Sequence, residues 1–269
     1  MKIRLTNLLF LLIIFLVFWL YWVIPPAPPS QTNQPTELPK KTPTQKVTEK
    51  PLTPIQQKKQ AFFEFMYPKI EQANLEIMQD RAWIASHPYE ENHPKWQRLI
   101  QSYAVKTQGK SADEIKQALL YKVLLIAPSM ALAQAANESA WGTSRFAKQG
   151  NNYFGQWCFK KGCGIEPKQM DPKHYHAVKK FDSILDSVRT YMLNINAHRI
   201  YKPVRDIRWH LIKQAHKFPY GIYLVEGLIN YSQRKEVYVR TLKSMIRHNK
   251  LQKYDDKLWE ILKMQELTQ

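Results

Sequence analysis

The chain has 269 residues, 44% of them hydrophobic, and its 40 Lys and Arg against 22 Asp and Glu give a net charge of +18. This composition excludes a wholly disordered chain and fits one domain of about 200 residues with appendages. The charge indicates a polyanionic partner, and nucleic acid, lipid head groups and carboxylate-rich cell wall all qualify. No helix-turn-helix, zinc-finger or RNA-binding signature is present, so we expect no nucleic-acid partner.

The N-terminal segment predicts a membrane anchor. Lys2 and Arg4 precede an uncharged apolar run of 17 residues, Leu8 to Ile24. At ~1.5 Å per residue, such a helix reaches the lower limit for crossing a bilayer. The sequence PPAPPS that follows has no small-residue cleavage site, so we expect the segment to be retained. We predict that residues 1–24 form a cytoplasmic stub and a single-pass anchor in the inner membrane, with the remaining chain in the periplasm.

Residues 25–54 contain nine of the 17 prolines and are predicted to form a disordered linker. Helical periodicity follows in residues 55–128, the predicted N-terminal helices of the catalytic domain. Phe62, Phe65 and Met66 form one apolar face, and Pro68 is expected to interrupt that helix. Further apolar faces contain Ile70, Ile77 and Ile84, and then Trp96, Leu99, Ile100 and Tyr103. A capping box at 111–114 opens a fourth helix, whose apolar run reaches Ile126.

The segment from Ser129 to Gly155 contains the best candidate for chemistry. Ser129 is a predicted N-cap, and small and apolar residues then lead to Glu138 near the helix end. The negative end of a helix dipole disfavours an ionised carboxylate, and Trp141 would exclude water from it. Both effects favour the protonated form that a general acid needs. The loop that follows offers amides and aromatic faces, which suit a sugar ring, in Asn152, Tyr153, Phe154 and Gly155.

The motif AQAANESAWGTSRFA followed by GNNYFG resembles the catalytic segment of glycoside hydrolase family 73, the bacterial N-acetylglucosaminidases that cut peptidoglycan. Within that family the likeness is greatest to the Bax-type proteins. The resemblance implies a mainly α, lysozyme-like helical domain with a small β-hairpin beside the active-site cleft. It also implies that Glu138 is the catalytic acid. The residues predicted to bind substrate are Trp141, Asn152, Tyr153, Phe154, Gly155, Trp157 and Tyr238.

Cys158 and Cys163 are the only cysteines. In a segment outside the membrane, a local disulfide that braces a loop is the favoured interpretation. The alternative, a metal site, would need further ligands at suitable spacing, and no recognisable set is present. We therefore predict a disulfide, no metal and no cofactor. Similar cysteine pairs belong to the Bax-type proteins that the sequence resembles.

Residues His174 to Phe181 are the best candidate for a strand, and the resemblance places a hairpin there as one wall of the cleft. Asp182 and Ser183 are then expected to begin a helix with apolar positions at Ile184, Val188, Tyr191 and Ile195. The catalytic core is predicted to span 129–250, followed by a C-terminal helix or tail over 251–269.

Tyr231 and Tyr238 lie in a segment that resembles the second signature of the family, and we predict Tyr231 to be a catalytic residue. Glycoside hydrolysis usually needs two carboxylates, but the predicted strand contains none. The candidates for a second carboxylate are Asp182, Glu166 and Asp171, with Asp186 nearby. Alternatively, the 2-acetamido group of the substrate attacks, and Tyr231 orients it.

The sequence thus predicts a membrane-anchored endo-β-N-acetylglucosaminidase that acts on peptidoglycan glycan strands as a monomer. A lytic transglycosylase on the same fold is one alternative, because it would also use a single glutamate. A membrane-tethered, non-catalytic protein that binds the cell wall is a second alternative, which a zymogram would test.

Overall fold

The structure is a computed structural model that describes residues 51–167, 175–213, 218–231 and 234–267. These residues belong to one compact unit, Pro51–Gln269. They form a mainly helical body with one small sheet. The helices are α1 Pro54–Ser86, α2 Pro94–Ser102, α3 Ala112–Lys122, α4 Pro128–Glu138, α5 Arg145–Gly150, α6 Ile184–Ala197, α7 Lys202–Lys213, α8 Gly221–Leu224, α9 Lys235–His248 and α10 Gln252–Leu267, with 3-10 turns at Arg199–Tyr201 and Val225–Leu228.

Helix α1 continues through Pro68, so the predicted interruption is wrong. A proline inside a helix costs about 3 kcal/mol because it removes one hydrogen bond and crowds the preceding turn. Here Pro68 lies on the exposed side, while Met66 and Ile70 are fully buried on the inner side. That burial, at ~2 kcal/mol per large apolar side chain, offsets the cost. Phe65, predicted to lie on the inner face, is instead 45% exposed at the edge of the buried arc.

Helix α3 begins with the predicted capping box, in which Ser111 and Glu114 bond each other's backbone N–H. It ends at Lys122, not at Ile126 as predicted. The side chain of Arg81 donates to the carbonyl of Val123, where the helix ends, and so replaces a helical hydrogen bond. The residues that follow are buried and lead directly into α4.

Helix α4 is the centre of the body, since it packs against α1, α8, α9 and α10. Every residue from Pro128 to Ala136 is buried. The predicted N-cap role of Ser129 is wrong, because Pro128 already occupies the first helical position and Ala127 precedes it as the cap residue. Ser129 instead donates from its N–H and its hydroxyl to the buried carboxyl of Asp255 on α10.

Helix α8 approaches α4 at a glycine. A Cβ built at Gly221 would lie 2.3 Å from Ser129 Oγ and 2.5 Å from Met130 N. Both distances are shorter than van der Waals contact, so only glycine fits there. Asp255 also accepts from Gly221 N–H, and the same carboxyl therefore joins α4, α8 and α10.

The predicted hairpin is a three-stranded antiparallel sheet of β1 Trp157–Cys158, β2 Gly164–Ile165 and β3 Ala177–Lys179, in the order β1-β3-β2. Trp157 pairs with Val178, and Ile165 pairs with the same residue from the other side. The predicted strand is therefore the central one, and it is shorter than the predicted His174–Phe181 segment, whose first residue lies outside the described residues. The predicted disulfide between Cys158 and Cys163 is confirmed and closes the loop between β1 and β2.

Helix α6 begins where predicted, with Ser183 as its N-cap. In the described ranges no helix is both long and apolar enough to cross a membrane. The predicted anchor and most of the predicted linker lie outside those ranges.

Candidate active site

Glu138 is the last residue of α4 and is partly buried. The Tyr238 hydroxyl donates to Glu138 Oε1 over 2.9 Å, and Asn137 Nδ2 donates to the same oxygen over 3.1 Å. Since α4 is fixed on several sides, the carboxyl group is held on a rigid element with one oxygen already oriented. This arrangement suits an acid that must meet a substrate in one geometry.

A chain of hydrogen bonds extends from Glu138 into the core. Gln134, one turn before Glu138, donates from Nε2 to the Tyr238 hydroxyl over 2.9 Å. The Tyr191 hydroxyl donates to Gln134 Oε1 over 2.6 Å. Gln134 is fully buried, so its amide orientation is fixed by these two partners. The order of donors directs the Tyr238 proton towards Glu138.

Four tyrosines have raised pKa values to which the charge of Glu138 contributes. Burial raises the pKa of Tyr201 to about 12, and the charge of Glu138 adds to the effect. Burial also raises the pKa values of Tyr191, Tyr231 and Tyr238, with a further contribution from Glu138 in each case. The Tyr238 hydroxyl donates directly to Glu138, and Tyr191 is linked to Tyr238 through Gln134. At neutral pH these groups are therefore protonated hydrogen-bond donors.

The loop after α5 supplies an open side to the site. Gly155 is exposed with φ +65°, and a Cβ there would lie 3.8 Å from Glu138 Oε2. The residue that faces this oxygen thus has no side chain, which leaves room for a ligand. The Tyr231 hydroxyl donates to the carbonyl of Phe154 over 3.1 Å, and the Tyr231 ring stacks on Tyr238 at 5.2 Å between centroids.

Three residues predicted to bind substrate lie in the interior of this loop. Asn152 uses its amide fully, because Nδ2 donates to the carbonyls of Gln156 and Lys179 while Oδ1 accepts two backbone N–H groups. Tyr153 is buried, and Phe154 is buried against Tyr191 with 4.0 Å between ring centroids. In the described structure these three residues build the loop, and Gly155 is its exposed face.

Two further aromatic residues predicted to bind substrate, Trp157 and Trp141, lie outside this loop. Trp157 on β1 is 59% exposed and stacks on His176 with 4.6 Å between ring centroids. Trp141 is partly exposed and packs edge-on against Phe62 and Phe63 of α1. It has φ +58°, a left-handed conformation that costs a non-glycine residue of order 1 kcal/mol or more. The turn that contains Trp141 follows directly after Glu138.

The candidates for a second carboxylate differ in their surroundings. Glu166 and Asp182 are exposed, and Asp171 lies outside the described residues. Asp186 accepts from Ser183 at the start of α6 and forms an ion pair with Arg189 over 3.0 Å. Those two partners lower the pKa of Asp186, so this carboxylate stabilises the N-terminus of α6.

Sequence patterns did not identify Gln134 and Tyr191 as parts of the hydrogen-bond chain to Glu138, or Tyr201 as a partner of the Tyr231 ring. Tyr191 was assigned only to an apolar helix face, where an aromatic ring is ordinary. One signal for Gln134 was present, since it is a polar residue in an otherwise small and apolar stretch, four positions before Glu138. On a helix this spacing places both side chains on one face.

Comparisons with known proteins show the family of the chain. A family model described as Glucosaminidase, mannosyl-glycoprotein endo-beta-N-acetylglucosaminidase, matches residues 113–263, which contain Glu138 and the four tyrosines. The chain is also similar to Protein bax of Escherichia coli (strain K12), with 31% identity over 197 residues that cover 71% of this chain and 70% of the relative. No solved structure matches the chain. Since the family match covers more than half of the chain, this protein belongs to the glucosaminidase family and is a glycoside hydrolase.

Proposed function

We propose that this protein is a peptidoglycan hydrolase of glycoside hydrolase family 73 that cleaves the glycan strand at N-acetylglucosamine, with Glu138 as the general acid. The observation that carries the proposal is the Glu138 carboxyl at the end of α4. One of its oxygens accepts from Tyr238, and its other oxygen faces the exposed Gly155. A general acid needs both features, a fixed orientation and an open side for the glycosidic oxygen.

The proposed reaction begins with proton transfer from the Glu138 carboxyl to the glycosidic oxygen. The bond between that oxygen and the anomeric carbon breaks as the oxygen of the 2-acetamido group forms a bond to the same carbon. Water then adds to the anomeric carbon, opens the cyclic intermediate and returns a proton to Glu138. This substrate-assisted route requires no second carboxylate from the protein.

Tyr231 is the proposed donor that orients the acetamido group. Its hydroxyl already lies against the Phe154 carbonyl, next to the glycine that faces Glu138. A hydroxyl hydrogen rotates freely, so a bound amide oxygen can replace that carbonyl as the acceptor. The surroundings of Asp186, which is engaged by Ser183 and Arg189, favour this route over a nucleophile from α6.

The products test this proposal. Mass spectrometry of digested cell-wall fragments should find a reducing N-acetylglucosamine end. An anhydro-N-acetylmuramic acid end would instead identify a lytic transglycosylase and overturn the proposed bond specificity. Digestion with the Glu138→Gln variant, prepared in parallel, controls for contaminating hydrolases.

We also propose that residues 8–24 anchor the enzyme in the inner membrane, with the catalytic domain in the periplasm. The apolar run and its basic flank support the anchor, and the Cys158–Cys163 disulfide supports an oxidising compartment. N-terminal sequencing of protein from the membrane fraction should find a start at or near Met1. A start beyond Pro25 would mean a released enzyme.

A further inference from the structure

A concave surface is lined by Trp141 and Val237, which lie close in sequence to Glu138 and Tyr238. It is a groove of about 620 Å³ along one side of α9, and the residues that matter for its chemistry are Lys59, Trp141, Val237, Arg240 and Met245. Its volume is within the range of ~300–1,000 Å³ that is usual for ligand sites. None of the interactions described above for Glu138 uses this groove.

The groove combines an apolar wall with two available cations. Lys59 Nζ lies 5.2 Å from the centre of the Trp141 ring. Among the residues that the structure describes, neither Lys59 nor Arg240 forms an ion pair with a carboxylate. By contrast, Lys243 on the same helix is paired with Glu226. The groove therefore carries uncompensated positive charge next to an aromatic surface, which is complementary to an anion with apolar parts.

The chain connects this groove to the proposed active site at two points. Trp141 follows Glu138 by three residues, and Val237 directly precedes Tyr238, which donates to Glu138. At 1.5 Å per residue, the groove side of α9 from Val237 to His248 extends about 16 Å away from that point. An extended ligand bound at Glu138 could thus continue along α9.

We propose that this groove is an accessory subsite that binds the carboxylate-bearing part of the glycan strand while the strand lies at Glu138. The inference rests on the proposed function, since it takes peptidoglycan as the substrate. Cell-wall strands carry carboxylates on lactyl groups and on stem peptides. Arg240 and Lys59 bind such a carboxylate, and Trp141 and Met245 pack against the apolar parts beside it.

Binding to insoluble cell wall tests the subsite without turnover. In the full-length protein with Glu138→Gln, the further change Lys59→Gln with Arg240→Gln should raise the Kd for purified peptidoglycan sacculi about 10-fold, because two charge-assisted hydrogen bonds are lost. The matched control is Lys106→Gln with Lys110→Gln, which removes two exposed lysines from the turn before α3. We expect the control to change Kd less than ~2-fold, since these two lysines do not line the groove.

A second binding experiment uses sacculi whose carboxylates have been amidated and are therefore uncharged. On these sacculi the groove variant and its parent should bind equally. Equal weakening by the groove pair and the control pair would mean general attraction to a basic protein and would overturn the proposal, as would a groove effect that persists on amidated sacculi. Failure of the proposed function has a different signature, because intact sacculi would then yield no glycan fragments with wild-type protein.

Discussion

The helical body around α4 and the β wall, residues 157–167 and 175–181, differ in the interactions that stabilise them. Helix α4 is buried over nine consecutive residues from Pro128 to Ala136. Its polar side chains bond partners that are far away in sequence, Ser129 with Asp255 and Gln134 with Tyr238, at separations of 126 and 104 residues. Several independent elements therefore fix the position of Glu138.

The β wall depends on local links. Its strands contain two, two and three residues, and a disulfide between residues five positions apart braces the loop. Trp157 and Phe159 there are 59% and 70% exposed. The contrast shows that distant elements fix the position of the proposed acid, whereas short strands and a local disulfide shape the wall.

The largest expected effect is on the cleavage rate, and it compares Glu138 in the helical body with Glu166 in the β wall. Glu138→Gln keeps an oxygen to accept from Tyr238 but has no transferable proton, so the cleavage rate should fall ~10²–10⁴-fold with an unchanged melting temperature. Glu166→Gln, in the exposed wall, should change the rate less than ~2-fold. Initial rates on cell wall measure both. A silent Glu138→Gln with an inactive Glu166→Gln would reverse the assignment.

The carboxyl group of Asp255, which joins α4, α8 and α10, should make the free energy of unfolding depend on pH. Burial raises the pKa of Asp255 to about 7, above its ordinary value of 3.8, and outweighs its three hydrogen bonds, which favour the charged form. The folded protein thus holds this proton more tightly than the unfolded chain. That stabilisation is present at low pH and is lost as pH rises from about 4 to 7, by up to ~4 kcal/mol at 1.36 kcal/mol per pH unit.

Denaturant unfolding between pH 4 and 7 measures this effect as a difference between variants. In wild type, the free energy of unfolding should fall as pH rises because of the Asp255 carboxyl group. In Asp255→Asn this fall should be absent. The exposed neighbour Asp256 provides a control, and Asp256→Asn should keep most of the fall, since burial contributes most to the raised pKa of Asp255 and the charge of Asp256 contributes least. Identical pH profiles for wild type and Asp255→Asn would contradict the linkage.

A tyrosine of the body tests the substrate-assisted route. Tyr231→Phe removes only a hydroxyl, and kcat should fall ~10²-fold with little change in KM, because the reacting amide oxygen loses the donor that orients it for attack in the transition state. Alanine at Glu166, Asp182 or Asp186 should cost much less. Loss of turnover at one of those carboxylates, together with a near-normal Tyr231→Phe, would favour two-carboxylate chemistry.

Loss of the disulfide should affect substrate binding at the β wall and should have little effect on the reacting groups of the helical body. Cys158→Ser with Cys163→Ser opens a short loop, so the free energy of unfolding should fall by about 2 kcal/mol at most. We expect KM for cell wall to rise while kcat stays within ~2-fold of wild type. A collapse of kcat would mean that the wall positions the reacting groups, contrary to the comparison above.

The smallest expected change in free energy is that of Tyr238→Phe. Tyr238→Phe removes one hydrogen bond to Glu138 and one from Gln134, a loss of about 1–1.5 kcal/mol, so kcat should fall ~10-fold. Tyr254→Phe removes a hydroxyl from another buried ring on α10 and should leave kcat unchanged. Equal effects of the two changes would point to general destabilisation.

The sequence alone determined the features that depend on neighbours along the chain. The capping box at Ser111, the position of Glu138 near the end of its helix, the start of α6 at Ser183 and the Cys158–Cys163 bridge were all predicted correctly. Each depends on groups within a few residues of one another. Such groups meet in almost any fold that contains the segment.

Only the tertiary structure decided the features that join distant segments. Helix α1 continues through Pro68 because buried neighbours offset the local cost, and Ser129 bonds Asp255, 126 residues away, instead of capping α4. Tyr238, not Tyr231, donates to Glu138. No local pattern distinguishes two tyrosines on adjoining turns. Which hydroxyl reaches the carboxyl is set by how α9 packs against α4, and this packing depends on the whole core.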